Sequence, residues 1–196
     1  RIDSALELFD CITCDKCIPV CPNHANFRLK IDPVEVATRK LEWSGGDFVE
    51  LTGDFITLAK RHQIATFADF CNECGNCDIF CPEYGGPYIM KPRFFGSLGD
   101  WEEMREHDGF FLERSEGADV IWGRFSGNNY TARFEGEQVL YTGDGFSVRF
   151  DLSDPIESLD GEAEGEVDLT FFFMMDALMK AAFNTDTIHY LNAPIL

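Results

Sequence analysis

The chain has 196 residues, of which 45% are hydrophobic and 14% aromatic, and it carries a formal net charge of −19. The apolar content is enough for a packed core in one domain or two small ones, which excludes a globally disordered chain. The 35 acidic residues against 16 basic ones argue against nucleic acid and anionic membrane surfaces as partners, because both attract clustered lysine and arginine.

The first predicted elements surround a cysteine-rich block near the N-terminus. The opening segment, RIDSALELFD, lacks the basic start and apolar run of a signal peptide, so we expect a cytoplasmic protein. Two short β-like pieces, LELF at 6–9 and NFRLKI at 26–31, flank the block CITCDKCIPVCP at 11–22.

An insert is predicted over about 31–62. Its first part, VEVATRKLEW at 34–43, fits either a helix or a strand. Two later pieces, 48–51 and 55–59, have the composition of strands. The segment QIATFADF at 63–70 indicates another strand, which leads into a second cysteine-rich block.

The second block, CNECGNCDIFCP at 71–82, repeats the first one sixty positions later. All eight cysteines of the chain lie in these two blocks, and a proline follows the last cysteine of each. This spacing, Cys-x2-Cys-x2-Cys-x3-Cys-Pro, is typical of bacterial ferredoxins with two 4Fe–4S clusters, in which the fourth cysteine of each run binds the other cluster. The predicted ligands are therefore Cys11, Cys14, Cys17 and Cys81 for cluster 1, and Cys71, Cys74, Cys77 and Cys21 for cluster 2.

Three other uses of these cysteines remain open but fit the spacing less well. Zinc needs four ligands per site, which would leave the evenly spaced third cysteine and the Cys-Pro step unexplained. Disulfides need an oxidising compartment and no such regular spacing. A single cluster with spare cysteines is disfavoured because neither predicted ligand set lacks a member.

The residues between the cysteines predict how the clusters are insulated and tuned. We expect five apolar side chains to shield the clusters from water, namely Ile12, Ile18, Val20, Ile79 and Phe80. Gly75 allows the backbone to approach a cluster, where N–H donors tune its potential. Lys16 lies within the first block and is expected to raise the potential of cluster 1.

The C-terminal half has a different pattern. After a loop at 84–95, short alternating segments separated by glycine and asparagine turns predict an antiparallel meander from about 109 to 151. The segment 151–168 contains eight acidic residues and no basic one, and we interpret it as a solvated loop. The apolar segment 169–183 predicts a buried helix that is too short to cross a bilayer.

The second block and the residues after it resemble one particular group of two-cluster proteins. The run at 71–82, followed by GGPYIMKPRFF at 85–95 and DGFFL at 108–112, is similar to the C-terminal part of the selenate reductase-like iron–sulfur subunit family. Those proteins are related to dihydropyrimidine dehydrogenase and to the small subunit of glutamate synthase. CPNHAN at 21–26 resembles the first block of that family, and the resemblance covers about residues 8–112.

The resemblance implies a modular flavoprotein in which a domain with FAD and NAD(P)H passes electrons through the ferredoxin module. This chain departs from that pattern because it contains no G-x-G-x-x-G fingerprint after a strand. We therefore expect FAD and NAD(P)H only on a partner flavoprotein or on a missing domain. The second redox partner is not specified, and the selenate activity is not carried over.

Together these patterns predict an α+β protein with a two-cluster ferredoxin-like domain at 1–98 and a β-rich extension at 99–196 that contains the helix at 169–183. The predicted function is an electron-transfer subunit of a larger oxidoreductase, with no membrane insertion and no substrate site of its own. The alternatives are a freely diffusing ferredoxin-type carrier and a structural subunit held together by its clusters.

Overall fold

The computed structural model describes residues 11–44, 46–51, 53–60, 62–83, 86–91, 93–184 and 186–193, which form a mixed α/β protein with few helices. Its strands are β1 (Asn26–Lys30), β2 (Val34–Ala37), β3 (Lys40–Ser44), β4 (Asp47–Leu51), β5 (Phe55–Leu58), β6 (His62–Phe67), β7 (Arg93–Phe95), β8 (Gly109–Ser115), β9 (Ala118–Phe125), β10 (Asn128–Glu135), β11 (Gln138–Gly143), β12 (Phe146–Asp151), β13 (Asp160–Ala163) and β14 (Glu166–Asp168). Its helices are α1 (Cys17–Val20), α2 (Asn76–Phe80), α3 (Pro87–Met90), α4 (Leu98–Glu103) and α5 (Leu169–Ala182), with a 3₁₀ turn at Ala68–Phe70.

The chain divides into two compact units, each built from separate stretches of sequence. Unit 1 comprises Arg1–Pro33, Leu58–Phe111 and Lys180–Leu196, and unit 2 comprises Val34–Thr57 and Leu112–Met179. This grouping differs from the sequence-based division at residue 98, because the insert between the cysteine blocks joins the C-terminal strands.

Unit 1 holds both cysteine blocks together with strands β1, β6 and β7. β1 pairs with β6 in antiparallel orientation, while β7 pairs in parallel with β6 and with the start of β8. The predicted strands at 26–31 and 63–70 are confirmed as β1 and β6, although the second one ends in the 3₁₀ turn. The piece predicted at 6–9 lies outside the described residues. The predicted loop at 84–95 contains α3 and β7 where the structure describes it.

Unit 2 contains the predicted antiparallel meander, which is confirmed by the pairing of β9 through β12 in sequence order, and β13 adds a further strand to it. The β9–β10 hairpin closes through Ser126 and Gly127, both with positive φ, which is the backbone that a tight two-residue hairpin turn requires. Helix α5 confirms the predicted helix at 169–183, and its fully buried Phe172 packs edge-on against Phe150 at a ring distance of 4.7 Å.

The insert and the acidic segment pair with each other, which the sequence did not predict. The segment 34–43 forms strands, and β3 lies between β4 and β14. The prediction that 151–168 is a solvated loop is therefore wrong for its second half, which supplies β13 and β14. The acidic side chains alternate with inward-facing residues such as the fully buried Val167, so the charges remain solvated on strands.

Among the described residues α5 is the longest helix, and it has only 14 residues. Across the part of the chain that the structure describes, no helix combines the length and apolar character needed to span a membrane.

Candidate metal centre

The two cysteine blocks fold into matching loops. In each block a loop precedes a short helix, and the third cysteine lies in its first turn, Cys17 in α1 and Cys77 in α2. The positive-φ residues also match at the sixty-residue spacing: Thr13 and Asp15 in the first loop correspond to Glu73 and Gly75 in the second. When residues with positive φ alternate with residues with negative φ, successive backbone N–H groups point toward a common centre. Such a concave arrangement of N–H groups favours an anionic group at that centre.

The first-block cavity is lined by four cysteines, three of them from the first block. These are Cys11, Cys14 and Cys17, and the fourth is Cys81 of the second block. The cavity encloses about 350 Å³ of space between atoms, part of it open to solvent. This cavity therefore brings together the cysteines predicted for cluster 1.

The second-block cavity has the reciprocal composition. It is lined by Cys71, Cys74, Cys77 and Cys21, and it encloses about 280 Å³ on the same measure. Four thiolates around one cavity match the ligand number of a 4Fe–4S cluster. Among the residues that the structure describes, no three His, Cys, Asp or Glu side chains converge closely enough to hold a single metal ion.

Backbone N–H groups donate to the sulfurs of two cysteines, both in the first block. Thr13 N donates to Cys11 Sγ and Ala25 N donates to Cys21 Sγ, each at 3.3 Å. The Asn26 amide donates to the Cys17 carbonyl at 3.1 Å, and Thr66 Oγ1 donates to Asn26 Oδ1 at 2.9 Å. Hydrogen bonds to sulfur favour the thiolate that binds iron. The bonds made by Asn26 and Thr66 instead connect the first turn of α1 to strands β1 and β6.

Burial has the opposite effect on the thiols themselves. It raises the pKa of Cys17 to about 12, with a smaller contribution from the neighbouring Cys11 and Cys77. Burial also raises the pKa values of Cys11 and Cys77, against hydrogen bonds that lower them. These thiols therefore stay protonated at neutral pH until a metal displaces their protons.

The predicted apolar shield is only partly formed. Ile12 lines the first-block cavity, while Ile18 and Val20 pack around the buried pair of Cys17 and Cys77. The prediction is wrong for Ile79 and Phe80, which are 70% and 54% exposed. Cys77 and Cys81 are four residues apart and share one helical face, so the residues between them turn toward solvent.

Charged groups that the sequence reasoning missed lie at both cavities. Glu83 and Lys91 line the first-block cavity and are almost fully buried. At the second-block cavity, the buried Arg93 donates to Glu73 Oε1 at 2.7 Å and to the Tyr88 carbonyl at 2.9 Å. The sequence signal for these charged groups was the presence of two basic residues within the apolar run MKPRFF. Lysine and arginine are almost never fully buried unless they have a charged or polar partner.

Asp15 in the first loop is held by two basic partners. Arg28 donates to its Oδ2 at 2.6 Å, and His62 Nε2 lies 2.8 Å from its Oδ1. Burial raises the pKa of Asp15, but the two contacts together lower it more, so the pKa of Asp15 lies below its usual value. The contacts fix the first loop on strands β1 and β6.

Comparison with known proteins finds a 4Fe–4S family match over both cysteine blocks. Residues 7–84 match the protein family described as "4Fe-4S dicluster domain". Two curated relatives from two strains of Escherichia coli, both named "Putative oxidoreductase YgfK", are each 30% identical over 100 residues. The aligned segment covers 51% of this chain but only 7% of each relative. No solved structure matches the chain.

The match and the cysteine spacing identify an iron–sulfur module of the ferredoxin type in this chain. Iron–sulfur clusters of this type exchange electrons at low potential. The module therefore has an electron-transfer role.

Proposed function

We propose that the chain holds two 4Fe–4S clusters by crossed ligation and relays single electrons within a larger oxidoreductase. The observation that carries this proposal is the composition of the two cavities. Each is lined by three cysteines of one block and the fourth cysteine of the other. In this arrangement Cys11, Cys14, Cys17 and Cys81 hold cluster 1, and Cys71, Cys74, Cys77 and Cys21 hold cluster 2.

The clusters supply the redox chemistry, since each can accept and release one electron. The protein residues position and insulate them. Cys17, Cys77 and Ile64 form a shared buried group between the two cavities, which keeps the cavities adjacent and excludes water. The N–H donors at Thr13 and Ala25 stabilise the charge on sulfur that increases on reduction.

The larger assembly is also a proposal. Both relatives are named as oxidoreductases, and the segment they share with this chain is a small part of their length. We propose that the electron donor or acceptor is a flavoprotein that carries FAD and uses NAD(P)H, and that the complex works in the reducing cytoplasm. The net charge of −19 favours a partner with a basic docking face.

Anaerobic purification of the chain with its natural partners tests both the proposed clusters and the proposed larger assembly. Iron, zinc, flavin and native mass are measured on the same preparation. About eight irons per chain and a co-purifying flavoprotein are expected. Four irons per chain would mean a single cluster. Zinc in place of iron would contradict the proposed electron-transfer function. Eight irons in a monomer would leave the clusters intact but make the chain a diffusing carrier.

Reducibility separates electron transfer from a structural role. The eight-iron protein is titrated with a graded series of low-potential reductants while its electron paramagnetic resonance is recorded. Two one-electron steps are expected. Clusters that stay oxidised over the whole range would show that they only stabilise the fold.

A further inference from the structure

The C-terminal segment of unit 1 reaches back to the turn that follows the first cysteine block. Tyr190 Oη donates a hydrogen bond to the His24 carbonyl at 2.8 Å, although 166 positions separate the two residues in the chain. His24 lies three residues after Cys21, which lines the second-block cavity. The hydroxyl of Tyr190 is therefore bonded to the backbone beside a proposed ligand of cluster 2, the second-block cluster.

The peptide group between His24 and Ala25 accepts one hydrogen bond and donates another. Its carbonyl accepts from Tyr190, and its N–H, which belongs to Ala25, donates to Cys21 Sγ at 3.3 Å. The peptide is trans, so its C=O and its N–H point in opposite directions. A single peptide group thus connects the phenol hydroxyl to the cysteine sulfur.

The backbone is held on both sides of this peptide group. His24 N donates to the Cys21 carbonyl at 3.2 Å, and His24 adopts a φ of +55°. On the other side, the Ala25 carbonyl accepts from Phe67 N at 2.8 Å, which continues the pairing of β1 with β6. The orientation of the peptide therefore does not depend on Tyr190 alone.

Aromatic packing holds the Tyr190 ring independently of its hydroxyl. Its ring centroid lies 5.4 Å from that of Phe27, 5.3 Å from that of Phe67 and 5.1 Å from that of Phe70. The side-chain amide of Asn192 donates to two carbonyls of the same C-terminal segment, at 2.7 and 2.9 Å. A phenylalanine at position 190 would keep the ring contacts, so the hydroxyl can be removed by itself.

A hydrogen bond to a carbonyl strengthens the N–H donor of the same peptide group. Each bond polarises the amide, and bonds in a chain reinforce one another by about 10–30% per bond. A stronger N–H donor stabilises more negative charge on the Cys21 sulfur. Because reduction adds one electron to a cluster, this stabilisation favours the reduced form and raises the reduction potential.

We propose that Tyr190 is a positioning residue of the second-block cluster, and that its hydroxyl raises the reduction potential of this cluster through the His24–Ala25 peptide. This inference rests on the proposed two-cluster function, in which Cys21 is a ligand of that cluster. Cluster 1, the first-block cluster, has a backbone donor of its own at Thr13. The C-terminal segment thus tunes one cluster of the pair, although the sequence-based division assigned it to the β-rich extension.

The test is a potentiometric titration of the anaerobically purified protein, followed by electron paramagnetic resonance. Tyr190→Phe removes the hydroxyl and keeps the ring. Tyr141→Phe is the matched control, because Tyr141 Oη also donates to a backbone carbonyl, that of Asp168 at 3.0 Å in unit 2. The two redox steps are assigned with Cys14→Ser and Cys74→Ser, which each perturb one cluster.

Tyr190→Phe is expected to lower the reduced-to-oxidised ratio of the second-block cluster by about threefold or more at fixed potential. The first-block step in this variant, and both steps in Tyr141→Phe, are expected to keep the wild-type ratio. An unchanged or raised second-block step, or an equal shift of both steps, would overturn the inference although two reducible clusters remain. A wild-type protein without two reducible clusters would instead contradict the proposed function.

A fluorinated tyrosine decides the matter if Tyr190→Phe loses a cluster. Tyr190→3-fluorotyrosine keeps the ring and makes the hydroxyl a stronger donor, because fluorine withdraws electrons from the ring. The second-block step is then expected to shift in the opposite direction, toward easier reduction. The iron content of each preparation is measured first, so that a lost cluster is not mistaken for a shifted one. An unchanged or lowered second-block potential in this variant would overturn the inference.

Discussion

Cys17 and Cys77, sixty positions apart in the chain, pack with Ile64 in one buried group and are 6% and 7% exposed. Each lies in the first turn of a short helix and belongs to a different cavity. The contact therefore joins the two cavities through their third cysteines. In crossed ligation, the fourth cysteine of each block would also connect that block to the cluster of the other. Neither block could then bind its cluster independently.

Crossed ligation predicts which cluster each fourth cysteine supports. Cys21→Ser should perturb the second-block cluster, because Cys21 lines the cavity of Cys71, Cys74 and Cys77. Cys81→Ser should perturb the first-block cluster for the reciprocal reason. The measurement is electron paramagnetic resonance of the reduced proteins, together with the iron content.

The reference spectra for this prediction come from two exposed cysteines, Cys14 and Cys74, each of which is a proposed ligand of one cluster. Cys21→Ser should match Cys74→Ser, and Cys81→Ser should match Cys14→Ser. The opposite match, in which each fourth cysteine affects the cluster of its own block, would contradict crossed ligation. Serine is close in size to cysteine, so the loops retain their packing.

Gly86 is predicted to tolerate no side chain. Its φ is +61° and its ψ is 152°, a conformation that only glycine adopts readily, and an added Cβ would lie 2.6 Å from Asp78 Cβ in α2. Gly86→Ala should therefore lower the free energy of unfolding by about 2–5 kcal/mol, from strain and overpacking together. Urea unfolding under anaerobic conditions measures this change.

Gly127→Ala is the matched control for Gly86→Ala. Gly127 has a φ of +81° but nothing within 4 Å of an added Cβ, so only backbone strain of about 1–2 kcal/mol is expected. Equal losses in the two variants would show that the contact with Asp78 has no effect. A selective loss of iron in Gly86→Ala would show that the contact positions α2 and its cysteine.

The sequence predicted best where the physical constraint is local. Alternating segments between turn residues gave the meander, and the unbroken apolar run gave α5 to within one residue of its end. The pairing of β3 with β14 could not be predicted, because it joins segments more than a hundred residues apart. The eight acidic residues at 151–168 indicated solvation correctly, but solvation is compatible with an exposed strand face.

At the candidate site the cysteine spacing predicted the grouping that the cavities display, because a repeat of this kind has few chemical uses. The surrounding charges were harder to predict. Lys16 appeared relevant from its sequence position but is exposed, while Lys91 lies ten residues beyond the second block's last cysteine and is buried. Burial depends on how α3 packs, and four residues of helix carry no periodicity from which that could be deduced.

Glu73 is predicted to anchor the second loop through Arg93. The guanidinium is 2% exposed, and His107 Nε2 also lies 3.3 Å from Glu73 Oε1. Glu73→Gln leaves the buried Arg93 charge without its carboxylate, so we expect a loss of about 1–3 kcal/mol of stability. Iron release to a chelator should accelerate for the second-block cluster only. Glu103→Gln removes the same charge from an exposed side chain and should leave both rates unchanged.

His189 is predicted to make unit 1 less stable in mild acid. Burial lowers its pKa below the ordinary value of 6.5, against a hydrogen bond to the Ala181 backbone that raises it. Between the lowered pKa and 6.5, the unfolded chain binds more protons than the folded one, so the free energy of unfolding falls as the pH drops through this window and levels off below it.

The His189 prediction is checked by urea unfolding about one pH unit above and below 6.5. His189→Phe keeps a ring beside Phe27, at 5.4 Å in the wild type, but loses the Nδ1 that accepts from Leu191 N at 3.3 Å. His189→Phe should have a lower free energy of unfolding than the wild type at the higher pH. Its free energy of unfolding should, however, decrease less between the higher and the lower pH. His24→Asn, at an exposed position whose positive φ suits asparagine, should keep the wild-type difference between the two pH values. Equal acid losses in wild type and His189→Phe would assign the acid sensitivity to other groups.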